Sequence, residues 1–448
     1  MDKFRAPLLL ASLGLGLTAS SLAADSGILF RKDIFSRHQD GYHTYRIPAM
    51  VVTAGGTVLL FCEGRKKSRQ DHGDVDLLLK RSEDGGRTWS KQALIHEEGG
   101  DAPIRVGNPC PIIERNGKVV HLLFSRGGSC LFHTKSTDEG VTWAPFTITT
   151  DNPKDREFDD PSFLKDFGGS PVSLGAGPVH GIQTSKGRLI APSNVGHQVD
   201  GKGRGQSCLI YSDDSGKTWK AGGMIPWVPE FRHGECTIVE RSDGSLLMNM
   251  RTSAPRAYSF GFRAVSTSSD HGATWSRPVV DKNLPGPACQ GSMIRLNEKE
   301  ILFLNPAVNY HGGFSIGSRR NLTLRLSRDD GRTWPFARVL NEGLAGYSDL
   351  AVTKEGKILC VFENGKKDYC EKISIVEVER AWLLAGKSNF GDCGFEISPN
   401  RTDFEFYNAT SRPADALGPK RCSPRNTESP SSSFVTRQPK APPAMASG

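Results

Sequence analysis

The sequence predicts an all-β fold, a six-bladed β-propeller with four antiparallel strands per blade, and three observations point to it. The pattern Ser-x-Asp-x-Gly-x-Thr-Trp occurs five times, at Ser82–Trp89, Ser136–Trp143, Ser212–Trp219, Ser268–Trp275 and Ser327–Trp334. Between these boxes lie short apolar runs bounded by Gly, Asp or Asn turns: Thr57–Cys62, Val119–Phe124, Cys208–Ser212, Leu246–Met250, Ile301–Asn305, Ile358–Phe362 and Ile373–Val378. Helical periodicity of useful length is missing. The box starts are 54, 76, 56 and 59 residues apart, close to one four-stranded blade per repeat. The interval of 76 calls for an insertion, roughly twenty residues long and placed around Lys154–Val172. Five boxed blades and the box-free stretch from Gly346 to Leu384, closed by the first strand after about Gly27, give six blades over residues 27–385. Closure by both ends removes free sheet edges.

Each box has a structural logic. The Ser and Asp oxygens bond turn amides, the Gly takes a backbone conformation closed to other residues, and the Trp staples the turn to its blade. Boxes build blades and do no chemistry.

The ends read differently. Lys3 and Arg5, the apolar run Ala6–Ala19 and the small-residue site Ser21-Leu22-Ala23 describe a signal peptide over residues 1–23. A retained signal-anchor helix fits less well, because the run is short and broken by Gly14 and Gly16. Export is therefore expected, to the outside or the periplasm, or to a lysosomal or other lumenal space. The stretch 400–448 holds seven prolines, the run Ser431-Ser432-Ser433 and no apolar periodicity, so it reads as a Pro/Ser-rich disordered tail.

Charge and cysteines narrow the function classes. Of the formal net charge of +8, the last 48 residues carry +3 and the leader +1, leaving the propeller at +4. That mild excess suits anionic ligands, and no contiguous basic stripe with interleaved aromatics points to nucleic acid. The ten cysteines form no Cys-x-x-Cys pair, and Cys62, Cys236 and Cys360 lie in apolar runs. Cys360 with Cys370, or Cys110 with Cys130, are the pairs placed to bridge neighbouring strands. The eleven histidines show no ligand spacing, so no catalytic metal is indicated.

A propeller is a scaffold, and its function must come from charged groups converging on one face. Arg46, in Tyr45-Arg46-Ile47-Pro48, opens the first blade beside a stiffening proline; Arg251 ends the run Leu246–Met250; Arg319 leads into a strand expected from Leu322. Three arginines at the edges of different blade strands suit one anion on the axis.

The Tyr-Arg-Ile-Pro motif followed by repeated Asp boxes resembles the sialidase (neuraminidase) superfamily, specifically the exo-α-sialidases of glycoside hydrolase family 33 type. The resemblance runs from Tyr45 to Glu363 and includes Asp71–Arg81, Val106–Pro111, Gly234–Arg251, Arg319–Leu326 and Gly346–Leu350. It implies a sialidase-like propeller in which Arg46, Arg251 and Arg319 clamp the carboxylate of a sialic acid, since planar guanidinium forks bind carboxylates bidentately. It implies Asp71, in Gln70-Asp71-His72-Gly73, as general acid/base, with Tyr347 as nucleophile and Glu235 as the base that takes its proton. Sialidases depart in this way from the usual pair of carboxylates. The anomeric carbon of sialic acid already bears a carboxylate, and a neutral phenol approaches where a second anion would be repelled.

By the same resemblance Glu363 orients the first arginine, Arg65 contacts the sugar's C4 hydroxyl, and Asp101 and Asn108 line the pocket. Glu63 stands ready as a partner of Arg65, and His233 reads as a loop histidine satisfying backbone groups rather than a base. Pro171-Val172-Ser173-Leu174, ahead of Gly177-Pro178, has no aromatic where many bacterial relatives have tryptophan.

The reaction the resemblance implies is retaining hydrolysis of a terminal α-linked sialic acid from glycoproteins, glycolipids or oligosaccharides by a monomer, with no cofactor. The alternatives are a trans-sialidase, a hydrolase of a related nonulosonic acid, and a sialic-acid-binding propeller without catalysis. The sequons at Asn321, Asn400 and Asn408 matter only in a glycosylating host, and Asn321 abuts a triad arginine.

Overall fold

A computed structural model describes residues 27–386, apart from 128–129, 149–170, 200–201, 255–259 and 311–315. The signal peptide at 1–23, all but the last two residues of the insertion at 154–172, the tail at 400–448 and the sequons Asn400 and Asn408 lie outside the described residues.

Hydrogen bonding groups the strands into five sheets. Three have four strands in sequence order, one has five, and one has seven. The runs read from the sequence are strands, most of them longer than the apolar run: Val58–Arg65, Val120–Arg126, Lys202–Ser212, Leu246–Ser253, Ile301–Pro306, Ile358–Gly365 and Lys372–Val378. The expected four strands per blade meets two exceptions: in the five-stranded sheet the short strand Ile182–Gln183 adds to Leu189–Val199, and in the seven-stranded sheet one strand of 17 residues, Phe336–Val352, runs through. Its first half pairs with Arg320–Ser327 and its second, from Leu344 on, with Ile358–Gly365. The last strand of that sheet is Ile28–Ser36, laid antiparallel on Lys372–Val378, so the two ends of the domain share a sheet.

The core lies between sheets. Leu59 and Phe61 pack with Leu122 and Phe124 of the next sheet, Cys110 and Ile112 with Ala191 and Cys208, Leu209 with Ile238 and Met248, and Leu247 with Met293 and Phe303. Met50 and Leu60 then meet Val361 and Ile375 of the seven-stranded sheet, closing the ring. A further cluster joins the two halves of that sheet, Leu322 and Leu324 against Cys360 and Phe362. Such a closed ring of curled sheets is consistent with a β-propeller. At its centre Asp349, fully buried, accepts bonds from Met50 N, His180 N and Nδ1, Ser292 Oγ and Leu350 N, tying several sheets to one carboxylate.

The boxes act as turns. In the second, Ser136 Oγ accepts from Gly140 N, and Asp138 accepts from Thr142 N and Oγ1. The box glycines Gly86, Gly140, Gly216, Gly272 and Gly331 all have φ between 77° and 96°. The residue before each is also left-handed, and is non-glycine in four of the five (Glu139, Ser215, His271, Asp330).

The disulfides do not form. Cys62, Cys110, Cys208, Cys236, Cys289, Cys360 and Cys370 are free thiols. Cys110 sits opposite Leu123 while Cys130 sits opposite Arg126, two strands away from Cys110. Cys360 lies mid-strand opposite Val376, and Cys370 precedes the strand that begins at Lys372. Among the described residues no helix is long and apolar enough to cross a membrane.

Candidate active site

Four strands carry a register shift that contains or adjoins an expected site residue. The shifts lie between Arg46 and Ala49, Gly107 and Cys110, His233 and Cys236, and Ala345 and Ser348. A bulge adds an unpaired residue and re-aims its side chain. Here it turns Asn108, Glu235 and Tyr347, while Arg46, still paired with Glu63, immediately precedes the unpaired Ile47 and Pro48. Two of the bulges hold strained backbone: Ile47 has φ 59° and Asn108 φ 54°, positions that a β-branched residue such as isoleucine adopts at a cost. Pro48, Pro109, Gly234 and Gly346 are the sequence trace of these bulges. Tyr347 thus lies inside a long strand rather than in a turn, and the strands of Arg251 and Arg319 run to Ser253 and start at Arg320.

Arg46, Asp71, Glu235, Arg251, Arg319 and Tyr347 line one cleft of about 330 Å³. Tyr347 is 6% exposed, and its hydroxyl donates a short bond to Glu235 Oε1. Arg251 Nη1 donates both to Glu235 Oε2, at 2.7 Å, and to the Tyr347 oxygen, at 3.0 Å. Burial pushes the phenol well above its usual range and the Glu235 charge adds to this, against the pull of Arg251 and Arg319. Burial also opposes the charge on Glu235, yet Arg251 and the bond from Tyr347 hold its carboxyl below the usual range. The resting pair is a neutral phenol donating to a carboxylate, with a cation on the phenolic oxygen.

The arginines are held individually. Glu363, fully buried, accepts from Arg46 Nε at 3.0 Å and Nη2 at 3.2 Å, and also from Ile47 N and Tyr347 N. One carboxylate therefore fixes an arginine and the backbone at two bulges. Arg319 Nη2 donates to Ala288 O at 2.9 Å. Its guanidinium lies 5.3 Å from the Tyr347 ring and 4.8 Å from that of Tyr369, while that of Arg46 lies at 5.1 and 5.5 Å from the same rings. Both guanidinium groups thus lie against the same two aromatic rings, which limit how far either can swing.

Asp71 stands at the rim, its side chain 72% exposed, with Arg46 Nη1 at 3.1 Å and Arg65 Nη1 at 2.9 Å. Partial desolvation at the cleft mouth would raise its carboxyl, but Arg46 and Arg65 hold it below the usual range. Arg65 is buried and reaches Asp71 from behind rather than lining the cleft. Its Nε and Nη2 donate to Glu63 Oε2 at 3.0 and 2.6 Å, the partnership anticipated from the sequence. Glu63 in turn accepts from Arg105 Nη2 and Asn108 N, and despite burial Arg105 and Arg65 bring its carboxyl down to about 2. Asn108 Oδ1 accepts from Arg105 at 2.9 Å. Asn108 and the exposed Asp101 lie outside the cleft lining. His233 belongs to the strand Arg232–Glu240 rather than a loop, and its Nδ1 accepts from Ser207 N at 3.0 Å, the backbone role expected of it.

Sequence reasoning missed Arg69, Gln70, Tyr369 and Cys370, which also line the cleft. Tyr369 and Cys370 sit in a charged turn with no pattern to mark them; Arg69 and Gln70 had only their nearness to Asp71. Among the described residues no group of three or more His, Cys, Asp or Glu is arranged to hold a metal ion.

Residues 56–360 match the BNR repeat-like domain family. A sialidase of Micromonospora viridifaciens is 31% identical over 364 residues, 75% of this chain and 52% of that protein. An exo-alpha-sialidase of Aspergillus fumigatus is 28% identical over 398 residues, 78% of this chain and 87% of that one. The chain thus spans about half the length of the Micromonospora relative. Among solved structures, a Hadza microbial sialidase, Hz136, superposes with a TM-score of 0.62 at 24% identity, covering 77% of this chain and 67% of that one. Trypanosoma rangeli sialidase in complex with sialic acid gives 0.61 at 19% identity, covering 80% and 60%. At these identities the structural likeness speaks for the fold alone.

Proposed function

The chain belongs to the BNR repeat-like domain family, and from that premise we propose that it is an exo-α-sialidase, removing terminal α-linked sialic acid from glycoproteins, glycolipids or oligosaccharides with retention. The observation that carries this reading is Tyr347, whose hydroxyl donates to Glu235 and accepts from Arg251 within a cleft lined by two more arginines. We count six blades by assigning the two halves of Phe336–Val352 to adjacent ones, which puts Arg46, Arg251 and Arg319 around one axis. A leader at residues 1–23 would carry the enzyme out of the cytosol.

The geometry supports a definite order of steps. The three arginines take the sugar's carboxylate and set the anomeric carbon before Tyr347. Glu235 Oε1 accepts the phenolic proton as the oxygen attacks, and Arg251 stabilises the charge developing on that oxygen. The glycosidic bond breaks, and its oxygen leaves with a proton from Asp71. Asp71 rests as a carboxylate, so it needs that proton first. A substrate carboxylate drawing on Arg46 brings negative charge beside Asp71 and weakens one of its two ion pairs, and both changes raise its pKa. Asp71 then deprotonates water, water displaces the tyrosyl oxygen, and Tyr347 recovers its proton from Glu235. Two inversions at one carbon retain configuration.

The test is release of a fluorophore from an α-linked N-acetylneuraminic acid glycoside by the purified chain, beside Tyr347→Phe and Arg319→Ala. Turnover by wild type that collapses in both variants is expected. A folded wild type without turnover moves the assignment to another nonulosonic acid, and binding without turnover to a lectin-like propeller. Product analysis with added galactoside separates hydrolysis from transfer.

A further inference from the structure

Asp71 sits on the segment joining the strands Val58–Arg65 and Val75–Ser82, held by Arg46 and Arg65. A substrate carboxylate competes for Arg46 at the moment the acid must be aimed. The segment has another anchor, distinct from the arginine that takes the carboxylate. Two residues before Asp71, Arg69 Nη1 donates to Asp368, at 3.4 Å to Oδ1 and 3.2 Å to Oδ2. Asp368 is 8% exposed and also accepts from Arg37 Nη2 at 3.1 Å. The turn that carries it is braced from within, because the Glu371 carboxylate accepts from the backbone N–H groups of Lys366, Lys367 and Asp368. The next residue, Tyr369, stacks on Arg46 and Arg319. One braced turn therefore meets both the acid's segment and the arginine clamp.

We propose that Asp368 is a positioning residue: through Arg69 it fixes the segment bearing Asp71 over the cleft, so that the acid stays aimed at the glycosidic oxygen once substrate has engaged Arg46. The proposal rests on the sialidase reading, with Asp71 as general acid. Asp368 contacts no reacting atom in that scheme, and its effect is on the proton delivered to the leaving group. Substrates differ in their need for that proton. An electron-poor phenol leaves as a stable phenolate without it, whereas a galactose hydroxyl leaves only when protonated.

The experiment compares kcat/KM, which covers the steps up to departure of the leaving group, on sialyllactose and on a nitrophenyl α-sialoside. It uses the full chain as wild type, Asp368→Asn, Arg69→Ala and Arg69→Lys. Arg69→Ala leaves the Asp368–Arg37 contact in place and so separates the anchor from the turn's own folding. A general acid contributes about 10²–10⁴-fold, so loosening its support should cost about tenfold or more on sialyllactose and under about threefold on the aryl glycoside. Arg69→Lys, which keeps a cation opposite Asp368, should recover part of the loss. Equal losses on the two substrates, or no loss on either, overturn the positioning role while leaving the sialidase reading intact. A wild type that hydrolyses neither overturns both.

Discussion

Glu363→Gln is the substitution whose consequences the structure fixes most closely. The carboxylate accepts four bonds: Oε1 takes Arg46 Nε at 3.0 Å and Ile47 N at 2.8 Å, and Oε2 takes Arg46 Nη2 at 3.2 Å and Tyr347 N at 3.0 Å. A glutamine amide has one oxygen. In either orientation it keeps two of these bonds and turns an N–H₂ toward two donors, one of them on Arg46 in each case. Hydrogen bonds to charged groups are worth about 1.5–3 kcal/mol, so losing two costs roughly 3–6 kcal/mol. Removing one partner of a buried ion pair independently gives about 3–5 kcal/mol. With unfolding entropy near 2 cal/mol/K per residue over the roughly 320 described residues, such a loss lowers the melting temperature by about 4–9 °C. Activity should fall with it, because Arg46 loses its orienting partner and the bulge carrying Tyr347 loses an amide acceptor. Misplacement on the scale of an ångström costs about 10²-fold in kcat/KM. Calorimetry and initial rates on an aryl sialoside measure both. A variant that melts within 1–2 °C of wild type (about 1 kcal/mol on the same conversion) and keeps its kcat/KM would refute the assignment of Glu363 as the common support of Arg46 and Tyr347.

Two further outcomes are expected from other parts of the fold. Stability should fall as pH drops below about 6.5. His133 is buried, bonded to His121 at 3.0 Å and packed on Trp219, and burial, with His121 and Lys135 adding to it, lowers its pKa to about 3. Its unfolded form takes a proton first, so the stability it lends is lost from 6.5 down toward 3. Glu63, brought down to about 2, adds a second loss beginning near its unfolded value of 4.5. Denaturant melts at a series of pH values would reveal both, and His133→Leu should lessen the slope of the upper part, which His233, lowered to about 4 by burial, shares. In the second box, Asp138→Ala removes the acceptor of Thr142 N and Oγ1, and for so exposed a turn we expect about 1–2 kcal/mol of lost stability. Its kcat/KM should stay at the wild-type value, and a large drop would contradict a purely structural role for the box.

What the sequence by itself determined was set by local chemistry. Ser136, Asp138, Gly140 and Thr142 satisfy their own turn, and runs such as Ile358–Phe362 must form buried strands, so turns, strands and the all-β class were legible residue by residue. The short motifs around Arg46, Asp71, Glu235, Arg251, Arg319, Tyr347 and Glu363 marked residues that do line or brace one cleft. Tertiary structure alone decided what depends on atoms far apart in the chain. Glu363 accepts from Arg46 across 317 positions, and Asp368 accepts from Arg69 across 299, distances over which no periodicity or turn rule reaches. The long strand Phe336–Val352 and the free state of Cys360 and Cys370 were likewise set by register. Tyr369 lay hidden because a stacking partner leaves no signature in the sequence. Its ring matters only because ring closure brings Arg46, from near one end of the domain, against a turn near the other.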